Sequence, residues 1–251
     1  MKTLGYYNGE IGEIEDMRVP MNDRVCWFGD GVYDASLAVN KRVLFLEEHI
    51  NRFFSSAALL QMTPPLGREE LGRLLAELAL KVEGEAHFVY WQLTRGTAQR
   101  FHIFPEAGIK PNLWVFIRPA EFPDLESKVK VITVEDTRFF HCNIKTLNLI
   151  PNVMASERAK QAGADEVVFY RKNLPDDIPE RVTEASHSNI HIIKDGVFRT
   201  APADNLILPG IIRAHLIEQC VLLGIPVKEE PFSVTELMEA DEALLSSSGS
   251  F

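Results

Sequence analysis

Cysteine is scarce. Cys26, Cys142 and Cys220 are the only ones in 251 residues, too scattered for a disulfide framework, and none stands in a CxxC pair that zinc or redox chemistry would use. A reducing compartment is expected. Positive charge is also in deficit: 26 Lys and Arg against 36 Asp and Glu give a formal net charge of −10, so the basic patch that nucleic acid or an anionic membrane would require is missing. No apolar run is long enough for a membrane span, and the opening MKTLGYYNGEIGEIED has no apolar core of a signal peptide. These absences lead to the expectation of a cytoplasmic protein that acts on a small molecule. No HExxH motif is present, and His187 and His191, on what reads as a strand, share a face but lack a third ligand nearby, so no metal site is expected. A GxSxG elbow is missing too, and Cys142 beside His141 carries no nucleophile signature. Serine and cysteine hydrolases are thereby set aside.

What is present reads as short strands, tight turns and amphipathic helices. Asn8-Gly9 and Asp195-Gly196 are hairpin signals between apolar runs. Glu47 to Met62 spaces Ile50, Phe53, Phe54, Ala57 and Leu60 as one helical face, and Glu69 to Val82 does so with Leu71, Leu74, Leu75 and Leu78. His87 to Gly96 and Leu113 to Pro119 read as strands, and the proline-bounded stretch 119–124 then breaks regular structure. A second half resumes with KVKVITVE and a helix opened by Pro151 and stopped by Gly163. The strand DEVVFY follows, then a helix after Pro209-Gly210 and another capped by Ser233 and Glu236. The expected class is α+β, with mostly antiparallel sheets and flanking helices in two domains, 1–118 and 125–251, joined by the linker 119–124.

Lys145, in FFHCNIKTLNLIPNVMA, is the residue with the most chemical potential. A lysine is the side chain that condenses with an aldehyde, and desolvation makes its proton easier to lose; most lysines, however, are solvated surface groups. Glu184, in RVTEASHSNIHII, follows downstream as a carboxylate that could pair with a cofactor. The amides of Ile211 and Ile212 open a helix and suit a phosphate, as does any helix start. Arg52, beside an apolar stripe, is either a solvated face residue or a bidentate phosphate clamp. Arg100 and His102 alternate on what reads as an extended segment, which suits a carboxylate if the pair is more than incidental. Tyr33, in FGDGVYD, follows glycines that permit close backbone approach, though a buried structural tyrosine is the commoner case, and GDG is no dinucleotide fingerprint.

Six ordered blocks carry a family resemblance: FGDGVYD, FLEEHINRFFSSA, NIKTLNLIPNV, GADEVVFY, VTEASHSN and NLILPGIIR. Together they resemble the fold type IV pyridoxal-phosphate enzymes, which include D-amino acid aminotransferases, branched-chain aminotransferases and aminodeoxychorismate lyases. The resemblance implies pyridoxal 5'-phosphate as cofactor, held through an imine by Lys145, with Glu184 at the pyridine nitrogen. It implies phosphate contacts from Arg52, Ile211 and Ile212, and a cofactor contact from Ser188. FGDGVY and the Arg100-x-His102 pair are most similar to D-amino acid aminotransferases. In those enzymes the matching Arg and His reach from the neighbouring subunit to grip the substrate carboxylate, with Tyr33 helping. A homodimer is therefore implied, moving the amino group of a D-alanine-like donor to a 2-oxo acid such as 2-oxoglutarate. The alternatives are a branched-chain L-amino acid aminotransferase, a lyase on the same scaffold, or a cofactor-binding relative without turnover. Ser247 and Ser248 are expected to line the substrate pocket.

The chain departs from the pattern at Asp34, where glutamate is usual, and at Ile212, where a threonine often adds a hydroxyl worth about 1 kcal/mol to the phosphate. His187 replaces a small residue in the serine run, and the chain stops at Phe251 where relatives continue, so an incomplete pocket wall is expected.

Overall fold

The structure, a computed structural model, describes all residues except 123, 125, 175–177, 250 and 251. Residue 123 of the expected linker and the last two residues of the chain thus lie outside the described set. The chain divides into two compact units: Met1–Pro123 with Ile144–Asn148, and Asp124–Asn143 with Leu149–Ser250. A linear split at 119–124 assigns Lys145 to the C-terminal domain, whereas the structure groups its short segment with the first unit. Pairing of that segment to a strand of the first unit is the reason, and sequence distance does not reveal it.

The first unit is built on a six-stranded antiparallel sheet. Its strands are β1 (Leu4–Tyr7), β2 (Glu10–Gly12), β3 (Gly31–Val39), β4 (Arg42–Val43), β5 (Ala86–Thr94) and β6 (Asn112–Pro119), in the order β2-β1-β6-β5-β3-β4. The β1–β2 hairpin turns on Asn8 and Gly9, both with positive φ (48° and 103°), the conformation that Asn-Gly supplies at little cost. Helix α1 (Arg24–Phe28) is capped by the Asp23 carboxylate, which accepts from the Val25 amide at 2.9 Å. Helices α2 (Leu46–Leu59) and α3 (Arg68–Leu80) cover the sheet as their spacing predicts. Ile50, Phe53 and Ala57 of α2 and Leu71, Leu75 and Leu78 of α3 join Val89, Trp91 and Ile117 of the sheet in one buried core. Each such aliphatic or aromatic side chain contributes roughly 1.5–3 kcal/mol by leaving water.

The second unit holds a three-stranded sheet, β7 (Val131–Glu135), β8 (Glu166–Lys172) and β9 (Glu180–Ala185), and a four-stranded sheet of order β12-β11-β10-β13. The latter comprises β10 (Asn189–Lys194), β11 (Val197–Thr200), β12 (Val227–Glu229) and β13 (Glu242–Ser246). Pairing is mostly antiparallel, but β7–β8 and β11–β12 run parallel, each joined by a helical crossover: α4 (Ile150–Gln161) and α5 (Ile211–Leu222). Pro151 sits in the first turn of α4, and Gly163 just beyond it has φ 64°, the expected stop. Ser233 and Glu236 form the capping box of α6 (Val234–Met238).

Candidate active site

In the first unit Lys145 lies on a segment stitched to β3. Tyr33 N–H donates to the Lys145 carbonyl at 2.9 Å, Leu147 N–H donates to Gly31 O at 3.1 Å, and Thr146 bridges Val32. The Lys145 amide donates to Ser56 Oγ of α2 at 3.2 Å, so the lysine main chain is held from both sides. Close approach requires Gly31: a Cβ there would sit 2.4 Å from Leu93 O and 2.7 Å from Leu147 Cδ1. The half-buried side chain places Nζ 4.4 Å from the centroid of Tyr33, over the ring face, and Tyr33 itself stacks on Tyr90 at 5.4 Å. Lysine and tyrosine are therefore side by side.

Below them is a charge cluster on Asp34, which is fully buried. Its carboxylate accepts from Arg52 Nε at 2.9 Å and Nη2 at 2.7 Å, and pairs with His49 Nδ1 at 2.8 Å. Burial pushes the Asp34 pKa up, but the Arg52 charge and the His49 and Arg52 hydrogen bonds outweigh it and hold the carboxyl far below its usual range, with Lys145 adding in the same sense. Burial keeps the His49 pKa below its ordinary value, with the Asp34 hydrogen bond and charge opposing. Arg52 is thus no solvated face residue. Its Nε–Nη2 edge is engaged by Asp34, so a bidentate phosphate clamp through that edge is not what the structure holds.

Arg100 and His102 lie in an exposed loop with bends, not on the extended segment expected from their alternation. They converge all the same: the Arg100 guanidinium sits 5.2 Å from the Phe28 ring centroid, and the His102 ring 5.2 Å from the same ring. Phe101, Ile103 and Phe104 around them are exposed.

The second unit centres on Glu184, buried on β9. Its Oε1 accepts from Arg138 Nη1 at 2.5 Å; its Oε2 accepts from Asn189 Nδ2 at 3.2 Å and the Leu208 amide at 2.9 Å. Arg138 is itself gripped by Asp136, which also receives Arg171 Nε at 3.1 Å and the Thr183 hydroxyl at 3.1 Å. Burial raises the Glu184 pKa above its ordinary value, with Arg138 and the Leu208 amide opposing. Asn189 Nδ2 also donates to Leu208 O at 3.0 Å, and Gly210 abuts Asn189 so closely that a Cβ would meet Oδ1 at 2.0 Å. One amide side chain therefore ties the carboxylate to the chain entering α5. Gly210 is the N-cap of that helix and supplies no side-chain cap, which leaves the amides of half-buried Ile211 and Ile212 at an uncapped positive end.

Around the β9–β10 turn, Glu166 accepts from Ser186 Oγ (2.7 Å), the His187 amide (2.9 Å) and Ser188 Oγ (2.8 Å), and pairs with His187 Nδ1 at 2.8 Å. Burial raises the Glu166 pKa, yet these partners outweigh it and keep the carboxyl below its usual range. Ser188 thus spends its hydroxyl proton on Glu166, so it is not a free donor to a cofactor. His187 is exposed in the turn while His191 is buried on β10, so the two do not share a strand face, and no group of potential metal ligands occurs among the described residues. Ser247 and Ser248 are half-buried just beyond β13. Sequence reading missed Asp136, Arg138, His49, Glu166 and Asn189. His49, Glu166 and Asn189 offered only polarity inside a helix or strand pattern, and Asp136 and Arg138 only charge in the irregular stretch after β7, signals that become meaningful once burial is known.

The chain as a whole is similar to known aminotransferases. A D-alanine aminotransferase from Listeria monocytogenes serotype 4b (strain F2365) is 42% identical over 253 residues, covering 98% of this chain and 84% of that protein. The solved fold IV-transaminase CpuTA1 from Curtobacterium pusillum superposes with a TM-score of 0.80 at 25% identity, over 95% of this chain and 82% of that one. A branched-chain aminotransferase from Thermoproteus uzoniensis shares the fold with a TM-score of 0.84 at 24% identity, over 98% and 83%. The family model for amino-transferase class IV matches residues 31–251, and the chain belongs to that family.

Proposed function

We propose that the protein is a pyridoxal-phosphate-dependent D-amino acid aminotransferase, taking the amino group from a D-alanine-like donor and giving it to a 2-oxo acid such as 2-oxoglutarate. The observation that carries this reading is the 42% identity to a D-alanine aminotransferase over nearly the whole chain. The branched-chain aminotransferases of Thermoproteus uzoniensis and Escherichia coli share the fold at 24% and 21% identity, a level of likeness that shows the fold alone.

The residues present fit the cofactor. Lys145 offers an amine on a fixed backbone, Glu184 a buried carboxylate, and Gly210 an N-cap whose lack of a Cβ keeps the α5 amides open. Pyridoxal phosphate, when bound, supplies an electron sink for the pair left when the substrate Cα–H bond breaks. Lys145 would hold it through Nζ, and the same Nζ would serve as the general base that takes the Cα proton. Tyr33, with its ring face against Nζ, orients that base. Glu184 would pair with the ring nitrogen, and Arg138, donating to its Oε1, orients the carboxylate and opposes the rise that burial causes in its pKa. Ile211 and Ile212 would bind the phosphate through main-chain N–H groups, and Arg52 would contribute positive charge. Arg100 and His102 receive the substrate carboxylate, and Ser247 and Ser248 line its pocket.

The acting species in this reading is a cytoplasmic homodimer. The exposed apolar loop around Arg100 supports an assembly, and no helix among the described residues is long and apolar enough to cross a membrane. The deciding experiment is the visible spectrum of the purified holoenzyme before and after D-alanine and, separately, L-valine. Conversion to the amino form of the cofactor by D-alanine alone is expected. Conversion by L-valine alone would move the protein to the branched-chain class, and no cofactor band after reconstitution would remove the enzyme reading.

A further inference from the structure

His191 has no part in the chemistry above, yet it is fully buried and hydrogen-bonded on both sides. Nδ1 pairs with Thr200 Oγ1 of β11 at 2.9 Å, and Nε2 with Ser246 Oγ of β13 at 2.8 Å. The ring also stacks on Phe198, with centroids 5.1 Å apart. On β10, Asn189 stands opposite Ser246 and His191 opposite Leu244, so Asn189, His191 and Ser246 lie on one face and the imidazole reaches Ser246 diagonally. A neutral imidazole is one donor and one acceptor, and hydroxyl rotors on both sides can complement either tautomer. This interaction is additional to the backbone ladders that already pair β10 with β11 and β13. It acts on the last residue of β13, immediately before Ser247 and Ser248.

We propose that His191 is a positioning residue for substrate binding: by fixing Ser246 it sets the exit direction of β13 and hence the placement of Ser247 and Ser248. The same strand carries Asn189, which holds Glu184 and the chain entering α5, so β10 aligns the substrate serines with the acidic and phosphate-binding groups of its unit. The inference rests on the reading that Ser247 and Ser248 line the substrate pocket.

The test compares His191→Phe, His191→Gln, Ser246→Ala, the double variant His191→Phe/Ser246→Ala, Ser247→Ala and Ser248→Ala, all as holoenzymes. Three quantities are read: KM for D-alanine, the dissociation constant of D-lactate followed through the cofactor absorbance, and the melting temperature. His191→Phe keeps the ring stack and loses both hydrogen bonds. It should raise KM and the D-lactate constant together by roughly five- to twentyfold, with Ser246→Ala producing a similar rise and the double variant little more than either alone. His191→Gln, which can still bond Ser246, should recover part of the loss and keeps the test open if the phenylalanine variant folds poorly. A lower melting temperature with KM and the D-lactate constant within twofold of the parent would reduce His191 to a strap across the sheet and overturn the proposal. If Ser247→Ala and Ser248→Ala leave both constants unchanged, the pocket assignment itself fails and takes the proposal with it. If those variants raise the constants while His191→Phe does not, only the positioning role is lost.

Discussion

Glu184 is the residue whose environment is most at odds with its charge. It is buried, burial raises its pKa, and the Arg138 guanidinium at 2.5 Å opposes that rise. Removing Arg138 leaves the carboxylate without its cation, so Arg138→Leu should destabilise the fold by about 3–5 kcal/mol, measured by denaturant unfolding. Glu184→Gln keeps the shape and loses the charge; kcat with D-alanine should fall roughly 10²- to 10³-fold while D-alanine KM moves little, a pattern that steady-state kinetics separates. His191 provides a pH prediction. Burial, and secondarily the Arg213 charge, lower its pKa to about 3. The unfolded chain, with an ordinary histidine near 6.5, binds a proton that the folded chain refuses. The stability held by neutral His191 is therefore full above pH 6.5 and lost as pH falls toward 3, at about 1.4 kcal/mol for each pH unit in that window. His191→Phe should flatten this decline relative to the parent; parallel curves would contradict the shift.

At the scale of elements, local signals were often sufficient. The Asn-Gly and Asp-Gly turns, the faces of α2 and α3, the Pro151 start of α4 and the Ser233 capping box are short-range consequences of φ preferences, periodicity and orphan amides. Arg100 and His102 lie in a bent loop because alternation of two polar residues is compatible with a loop as well as a strand; both side chains meet Phe28 only through tertiary packing. The chain entering α5 gives a test at this scale. Gly210→Ala would drive a Cβ to within 2.0 Å of Asn189 Oδ1, so either the helix start or Asn189 must move. On the proposed site, titration with pyridoxal phosphate should show affinity at least roughly tenfold weaker, since the α5 amides and the Asn189-held Glu184 would be displaced together; Gly163→Ala, with nothing within 4 Å of its added Cβ but φ 64°, should affect stability more than cofactor binding.

For the whole molecule the consequential assignment is the subunit arrangement. If Arg100 acts on the substrate of a neighbouring subunit, Lys145→Ala and Arg100→Ala place their lesions in different chains of each site. Mixing the two impaired variants under conditions that allow subunit exchange should then restore activity, because a hybrid dimer contains one site free of both changes. No recovery in hybrids verified by mass would put Arg100 in its own subunit's site or outside any site. Arg100→Ala by itself should raise KM for D-alanine by roughly tenfold or more and leave cofactor affinity unchanged.

The sequence by itself determined the α+β class, most elements and the family, because turn chemistry, periodicity and ordered motifs are local properties of a chain. Tertiary structure decided which polar groups became partners. Asp34 captures Arg52 across α2 and β3, Asp136 and Arg138 assemble beneath Glu184, and Lys145 joins the first unit by pairing with β3. Those pairings are enforced by burial, since a charge or amide removed from water must find a complement among residues that sequence distance keeps far apart.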